Sequence, residues 1–146
     1  MRQYDIYLME EEIARQYFGQ ESKLFHLFLE QKNGRAQNVE VINKQIDFIT
    51  QPISTLQLQQ ILTSTFRHNT YHREFQNSHY LSIKHPYSEA ELTLNPNHLK
   101  LVSTGEYEAE TLFFEALRKY DPYFYAIEST QFRYGWLNPI KQFKLI

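Results

Sequence analysis

The apolar residues of this chain change their spacing at Asn69, and that change constrains the fold more than any other feature. From Glu10 to His68 they recur at intervals of three and four residues; from His79 to Ser103 they alternate with polar ones. The first spacing buries one face of a helix and the second buries one face of a strand. Helices mostly in the first half, packed on a largely antiparallel sheet, make an α+β protein. Its 146 residues suit a single domain over 1–146, large enough to bury a core without staples.

Element by element, Gln3 to Met9 alternates Tyr4, Ile6 and Leu8 with Asp5 and Tyr7, which predicts a strand. A short helix follows from Glu10 to Phe18, with Ile13 and Tyr17 one turn apart, and Gly19 ends it. Glu21 to Lys32 predicts a core helix with Leu24, Phe25, Leu27, Phe28 and Leu29 on a broad apolar side. Asn38 to Thr50 has an ambiguous start and is helical later. Its buried stripe is Val39, Ile42, Ile46 and Ile49, and Val41, Gln45 and Phe48 form a second, partly apolar stripe. Pro52 breaks it, and Ser54 to His68 forms a further helix with Leu58, Ile61, Leu62 and Phe66 inward.

Past Asn69, His79 to His85, Glu89 to Asn95 and His98 to Ser103 alternate as an antiparallel meander, turning at Asn95-Pro96-Asn97. A helix from about Glu106 to Lys119 carries acids in its first turns and Arg118 and Lys119 in its last, which complements the helix dipole. Tyr123 to Ile127 is a strand. In the tail, Arg133 to Pro139 reads as a turn shaped by Gly135 and Pro139, with Trp136, the single tryptophan, plugging the edge of the core; a binding loop is the alternative reading. The first strand is a candidate member of the same sheet.

Several function classes lose support. There is no cysteine, so no disulfide, thiol nucleophile or cysteine zinc site can form. Net charge is −2 with basic residues scattered among acids, which disfavours holding nucleic acid through its phosphates. No apolar run approaches a membrane span, and the acidic Asp5 and Glu10 to Glu12 do not make a secretory leader. With four glycines there is no phosphate-cradling loop and no nucleophile elbow. His68 and His72 stand at the spacing that grips a metal from one helix face, but Asn69-Thr70 interrupts the helix between them, and His79, His85 and His98 fall at strand ends or turns. Surface histidines are the plainer reading, with no metal and no cofactor. Aromatics are 16% of the chain; most fill the core, and Tyr17 and Phe48 are candidates for an exposed patch on the first and third helices.

Four segments then carry a resemblance. They are Tyr17-Phe18-Gly19-Gln20-Glu21-Ser22, Ile49-Thr50-Gln51-Pro52-Ile53, the run Gly105-x-Tyr107-Glu108-Ala109-Glu110-Thr111-x-Phe113-Phe114-Glu115, and Arg133-Tyr134-Gly135-Trp136-Leu137-Asn138-Pro139. In this order they resemble the sporulation inhibitor of replication family of spore-forming bacilli. Gly34 to Gln45 and Arg67 to Pro96 match it poorly.

The resemblance implies a cytoplasmic, non-enzymatic inhibitor of replication initiation, monomeric when free. It would bind the N-terminal domain of the initiator DnaA one to one, by occupying a surface, without DNA contact or cofactor. The contact positions it implies are Ile13, Tyr17, Gln45 and Phe48, with Pro139 important for contact or folding. Ile13 stands where the family has an aromatic, and Phe48 lacks a hydroxyl that the family has. Two other readings of the residues are a small histidine-metal enzyme and a DNA-binding repressor of the origin.

Overall fold

The computed structural model describes residues 1–34 and 36–138. The chain runs β1 (Arg2–Met9), α1 (Glu11–Gln16), α2 (Glu21–Asn33), α3 (Ala36–Ile49), β2 (Thr50–Gln51), α4 (Thr55–Thr65), β3 (His72–Phe75), β4 (Ser78–Ile83), β5 (Ser88–Leu94), β6 (Leu99–Gly105), α5 (Glu108–Tyr120), β7 (Phe124–Glu128) and β8 (Arg133–Trp136). The strands form one antiparallel sheet in the order β3-β4-β5-β6-β1-β7-β8, with β2 also paired to β1. The α+β expectation holds. β1 takes a central position, pairing with β6 and β7; Tyr4, Ile6 and Leu8 are buried on one of its faces, and Met9, with half-buried Tyr7, on the other.

Alternation divides the core between two faces of the sheet. Tyr4, Ile6 and Leu8 of β1, with Leu92 and Leu101 of the meander, meet α4 through Leu58 and Leu62 and α5 through Phe113 and Leu117. On the other face, Met9 of β1 and Tyr125 and Ile127 of β7 meet Leu24, Phe25 and Phe28 of α2 and Ile42, Ile46 and Ile49 of α3. Helices therefore cover both faces at the β1-β7 end. The second face of β4-β5-β6 carries half-buried polar residues such as Ser82, Glu89, Glu91 and Thr104.

Some expectations need correction. Arg133–Trp136 is not a turn but strand β8, paired with β7 so that Tyr125 stands opposite Trp136. Trp136 is half-buried with its ring edge-on to Tyr125, 5.1 Å between centroids, so it does plug a core edge. The strands β2 and β3 went unread, because two residues carry no period and His72–Phe75 buries none of its side chains fully. On α4, Ile61 faces outward, and the helix ends at Thr65. Helix α3 begins earlier than read, at Ala36, and α5 later, at Glu108, after Gly105 turns the chain at φ +79°. A side chain at Gly105 would strike the Tyr87 carbonyl, so the turn requires glycine.

One buried polar network anchors β1 to α5. The Glu110 carboxylate, 3% exposed, accepts from Arg2 Nε (2.5 Å), the Tyr4 hydroxyl (2.7 Å) and the Ser103 hydroxyl (2.7 Å). A buried charge is tolerable only when its lone pairs are met in this way. Glu110→Ala leaves those donors stranded and should lower unfolding free energy by about 3–5 kcal/mol. Glu115→Ala, which removes the partly exposed pair with Arg118, should cost at most about 1 kcal/mol. Urea midpoints compare the two.

Burial, reinforced by the hydrogen bond to Glu110, pushes the Tyr4 hydroxyl up to about 12, and burial with the Asp5 charge does the same for Tyr7. Because the folded values exceed the unfolded 10.0, the stability these rings contribute is complete below about pH 10 and is lost as pH climbs toward 12. Urea midpoints measured from pH 8 upward should stay level and then decline across that window; a decline complete before the unfolded tyrosines ionise would contradict the assignment.

Candidate functional site

The first three helices leave a groove where they meet. Helix α1 is six residues long and ends on Tyr17, whose backbone N–H donates to the Ile13 carbonyl at 3.0 Å. Gly19 at φ +78° turns the chain, the Gln20 N–H returns to the Tyr17 carbonyl at 2.8 Å, and α2 starts at once. That reversal sets Tyr17 beside the N-terminal turns of α2. Helix α3 packs on α2 through Ile42, Ile46 and Ile49 and offers its second stripe to the same space. The result is an open concavity of about 650 Å³ lined by residues of all three helices.

All four described positions that the resemblance implies line this groove. Phe48 stands at the rim, 79% exposed, and Gln45 is exposed one turn before it. Tyr17 is half-buried, with its ring partly against the α2-α3 core. Ile13 is 9% exposed and forms floor rather than surface. The two same-face pairs therefore meet in space. Pro139 lies outside the described residues.

Sequence reasoning named Val41 with this stripe but not as a site residue; it is 57% exposed on the groove wall. Lys23, Leu27 and Lys44 were missed. Their signal is helical spacing: Val41, Lys44, Gln45 and Phe48 share one face of α3, and Lys23 and Leu27 are one turn apart on α2. The two lysines stand at the margin of the apolar groove, Lys44 with Glu40 Oε1 3.6 Å from its Nζ. Other exposed apolar residues, such as Leu56 on α4 and Phe75 on β3, stand on separate elements, an ordinary feature of protein surfaces.

A second depression, of about 720 Å³, is lined largely by polar side chains including Asp5, Gln31, Asn43, Asp47 and Gln51. Of its two lysines, Lys32 and Lys100, the first is engaged: Lys32 Nζ lies 2.5 Å from Asp5 Oδ2. The histidine pair from the sequence does not assemble. His68 is exposed, whereas His72 turns instead to the fully buried His79 and to Glu74, so surface histidines is not the right reading for His79. Burial lowers the pKa of both His72 and His79 below the ordinary value. Among the described residues, no helix is long and apolar enough to cross a membrane.

Sheet, helices and groove define an α+β protein that presents an open apolar helical surface with a polar margin. The chain belongs to the family of sporulation inhibitor of replication proteins, SirA, whose model matches residues 2–141. It is 38% identical over 143 residues to the sporulation inhibitor of replication protein SirA of Bacillus subtilis (strain 168), an alignment covering 97% of this chain and 96% of that protein. The coarse function is thus inhibition of replication in sporulation.

The exposure of the groove residues makes separable demands on stability. Phe48→Ala removes an exposed ring and should shift unfolding free energy by under about 0.5 kcal/mol. Tyr17→Ala loses half-buried area and should cost roughly 1–2 kcal/mol. Thermal or urea melts of the two variants test this order; equal losses would mean that Phe48 is packed in solution.

Proposed function

We propose that this protein inhibits initiation of chromosomal replication by seating the N-terminal domain of DnaA in the groove between α1, α2 and α3. One observation carries the reading: Ile13, Tyr17, Gln45 and Phe48, the contact positions implied by the family resemblance, converge on one open apolar surface. Residues distant in sequence have no reason of local structure to converge there with Phe48 left in water.

Each has a chemical part. The Phe48 ring offers large apolar area at small entropic cost, the usual property of an interface anchor. Tyr17 adds an apolar edge and a hydroxyl, already partly immobilised by the core. Gln45 supplies an amide that can both donate and accept. Ile13, as floor, sets the depth of the groove where the family has a larger ring. Lys23 and Lys44 at the margin favour acidic side chains around the partner's apolar centre. Pro139 belongs to this proposal through the resemblance alone.

Inhibition on this account is occupancy. The inhibitor acts in the cytoplasm as a single-domain monomer, engages DnaA one to one, and uses no catalysis, cofactor or DNA contact. Calorimetric titration with the isolated N-terminal domain of this organism's DnaA should give one-to-one binding without nucleotide, metal or DNA. Tyr17→Ala and Phe48→Ala should each weaken it by about 2 kcal/mol or more, roughly 30-fold, while Leu56→Ala, on α4 outside the groove, should leave it unchanged. Absence of heat and of co-elution would sink the proposal; unchanged affinity in both groove variants would move the contact elsewhere.

A further inference from the structure

The hairpin β3-β4 gathers three potential ligands that are not local to one another on any helix. His72 and Glu74 are two apart on β3 and so share a face, and the register sets His79 of β4 directly across from Glu74. Helix α4 covers that face with Gln59 and Thr63, and with Phe66 at its C-cap. His72 Nε2 and His79 Nδ1 are 2.9 Å apart, and Glu74 Oε2 is 3.7 Å from the same His79 Nδ1. All three ligand atoms lie within 4.8 Å of one another.

Hydrogen bonding around the cluster fixes its protons. Gln59 Nε2 donates to Glu74 Oε2 at 3.4 Å and to the Gln76 carbonyl at 3.3 Å. Gln59 Oε1 is thereby the acceptor for His79 Nε2–H, 2.8 Å away. His79 then carries its proton on Nε2 and aims the bare lone pair of Nδ1 into the cluster. This is how an outer partner prepares a metal-binding imidazole. Phe66 stacks on the His72 ring, 5.1 Å between centroids, and Thr63 donates to Glu74 Oε2 at 2.8 Å, so each ligand is held by a side chain of α4 or of its C-cap residue.

We propose that His72 Nε2, Glu74 Oε2 and His79 Nδ1 bind a divalent transition-metal ion of the zinc class, clamping β3 to β4 beneath α4. Metal–ligand bonds of about 2.0–2.2 Å place tetrahedral ligands about 3.3 Å apart. The two shorter edges of the cluster, at 2.9 and 3.7 Å, straddle that value. On binding, the single proton of the His72 ring moves by exchange with solvent from Nε2 to Nδ1, which frees the Nε2 lone pair for the metal with no net proton release. Water completes the coordination on the open side, since Glu74 is exposed and His72 half-buried. Nothing in the family resemblance implies this site, and it shares no residue with the groove, so its test involves no partner protein.

Chelator-treated protein titrated with cobalt(II) should develop a visible d–d spectrum that saturates at one equivalent and is displaced by zinc. Zinc alone should raise the melting temperature. His72→Gln and Glu74→Gln should each weaken cobalt binding by at least about tenfold, and His68→Gln should leave it unchanged. If His72→Gln fails to fold by circular dichroism, Glu74→Gln, at an exposed residue, decides. A folded parent with no cobalt spectrum and no zinc-dependent rise in melting temperature overturns the proposal. So does binding that survives Glu74→Gln unweakened or falls equally in His68→Gln.

Discussion

Strand β7 is the joint on which the two halves of this molecule depend. Each of its five residues, Phe124 to Glu128, is buried. Phe124 and Ala126 enter the core beneath α4 and α5, while Tyr125 and Ile127 enter the one beneath α2 and α3. Tyr125 goes further: its hydroxyl donates to the Glu21 carbonyl at 2.7 Å, where α2 begins, and burial raises its pKa well above the usual phenol value. The α1-α2 turn is therefore fixed to the sheet by a buried, neutral ring.

That rigidity is what the anchor role proposed for Phe48, a surface ring, requires. The buried stripe Ile42, Ile46 and Ile49 fixes the rotation of α3, and rotation decides that Val41, Gln45 and Phe48 look into the groove. The short α1, ended at Tyr17 and reversed at Gly19, closes the opposite wall. An apolar surface held in place before binding loses less conformational freedom on association than one that must order itself. The same logic accounts for Tyr17 being half-buried: contact with the core fixes the ring and still leaves an edge for a partner.

Much of this was legible in the sequence, and what was not follows a pattern. The α3 stripes, the alternation in β1 and the β4-β5-β6 meander were readable because one-sided burial writes a period into the chain. Strands β3 and β8 were not, because their reason for being strands lies in their neighbours: β8 exists by pairing with β7, and β3 is largely exposed. Spacing identified Ile13 with Tyr17 and Gln45 with Phe48 as pairs; only tertiary structure could join the pairs, add Lys23, Leu27 and Lys44, and turn Ile13 into floor. Helical spacing suggested His68 with His72, whereas a hairpin register, invisible without knowing β3, assembles His72, Glu74 and His79.

The central claim is that DnaA's N-terminal domain occupies the groove of α1, α2 and α3. Amide hydrogen exchange, followed residue by residue with and without that domain, tests it most directly. The account predicts added protection concentrated in the C-terminal half of α1, the Gly19 turn, the first turns of α2 and the Val41 to Phe48 stretch of α3. Protection confined to α4, α5 or the β3 edge, with these segments exchanging as in the free protein, would contradict it.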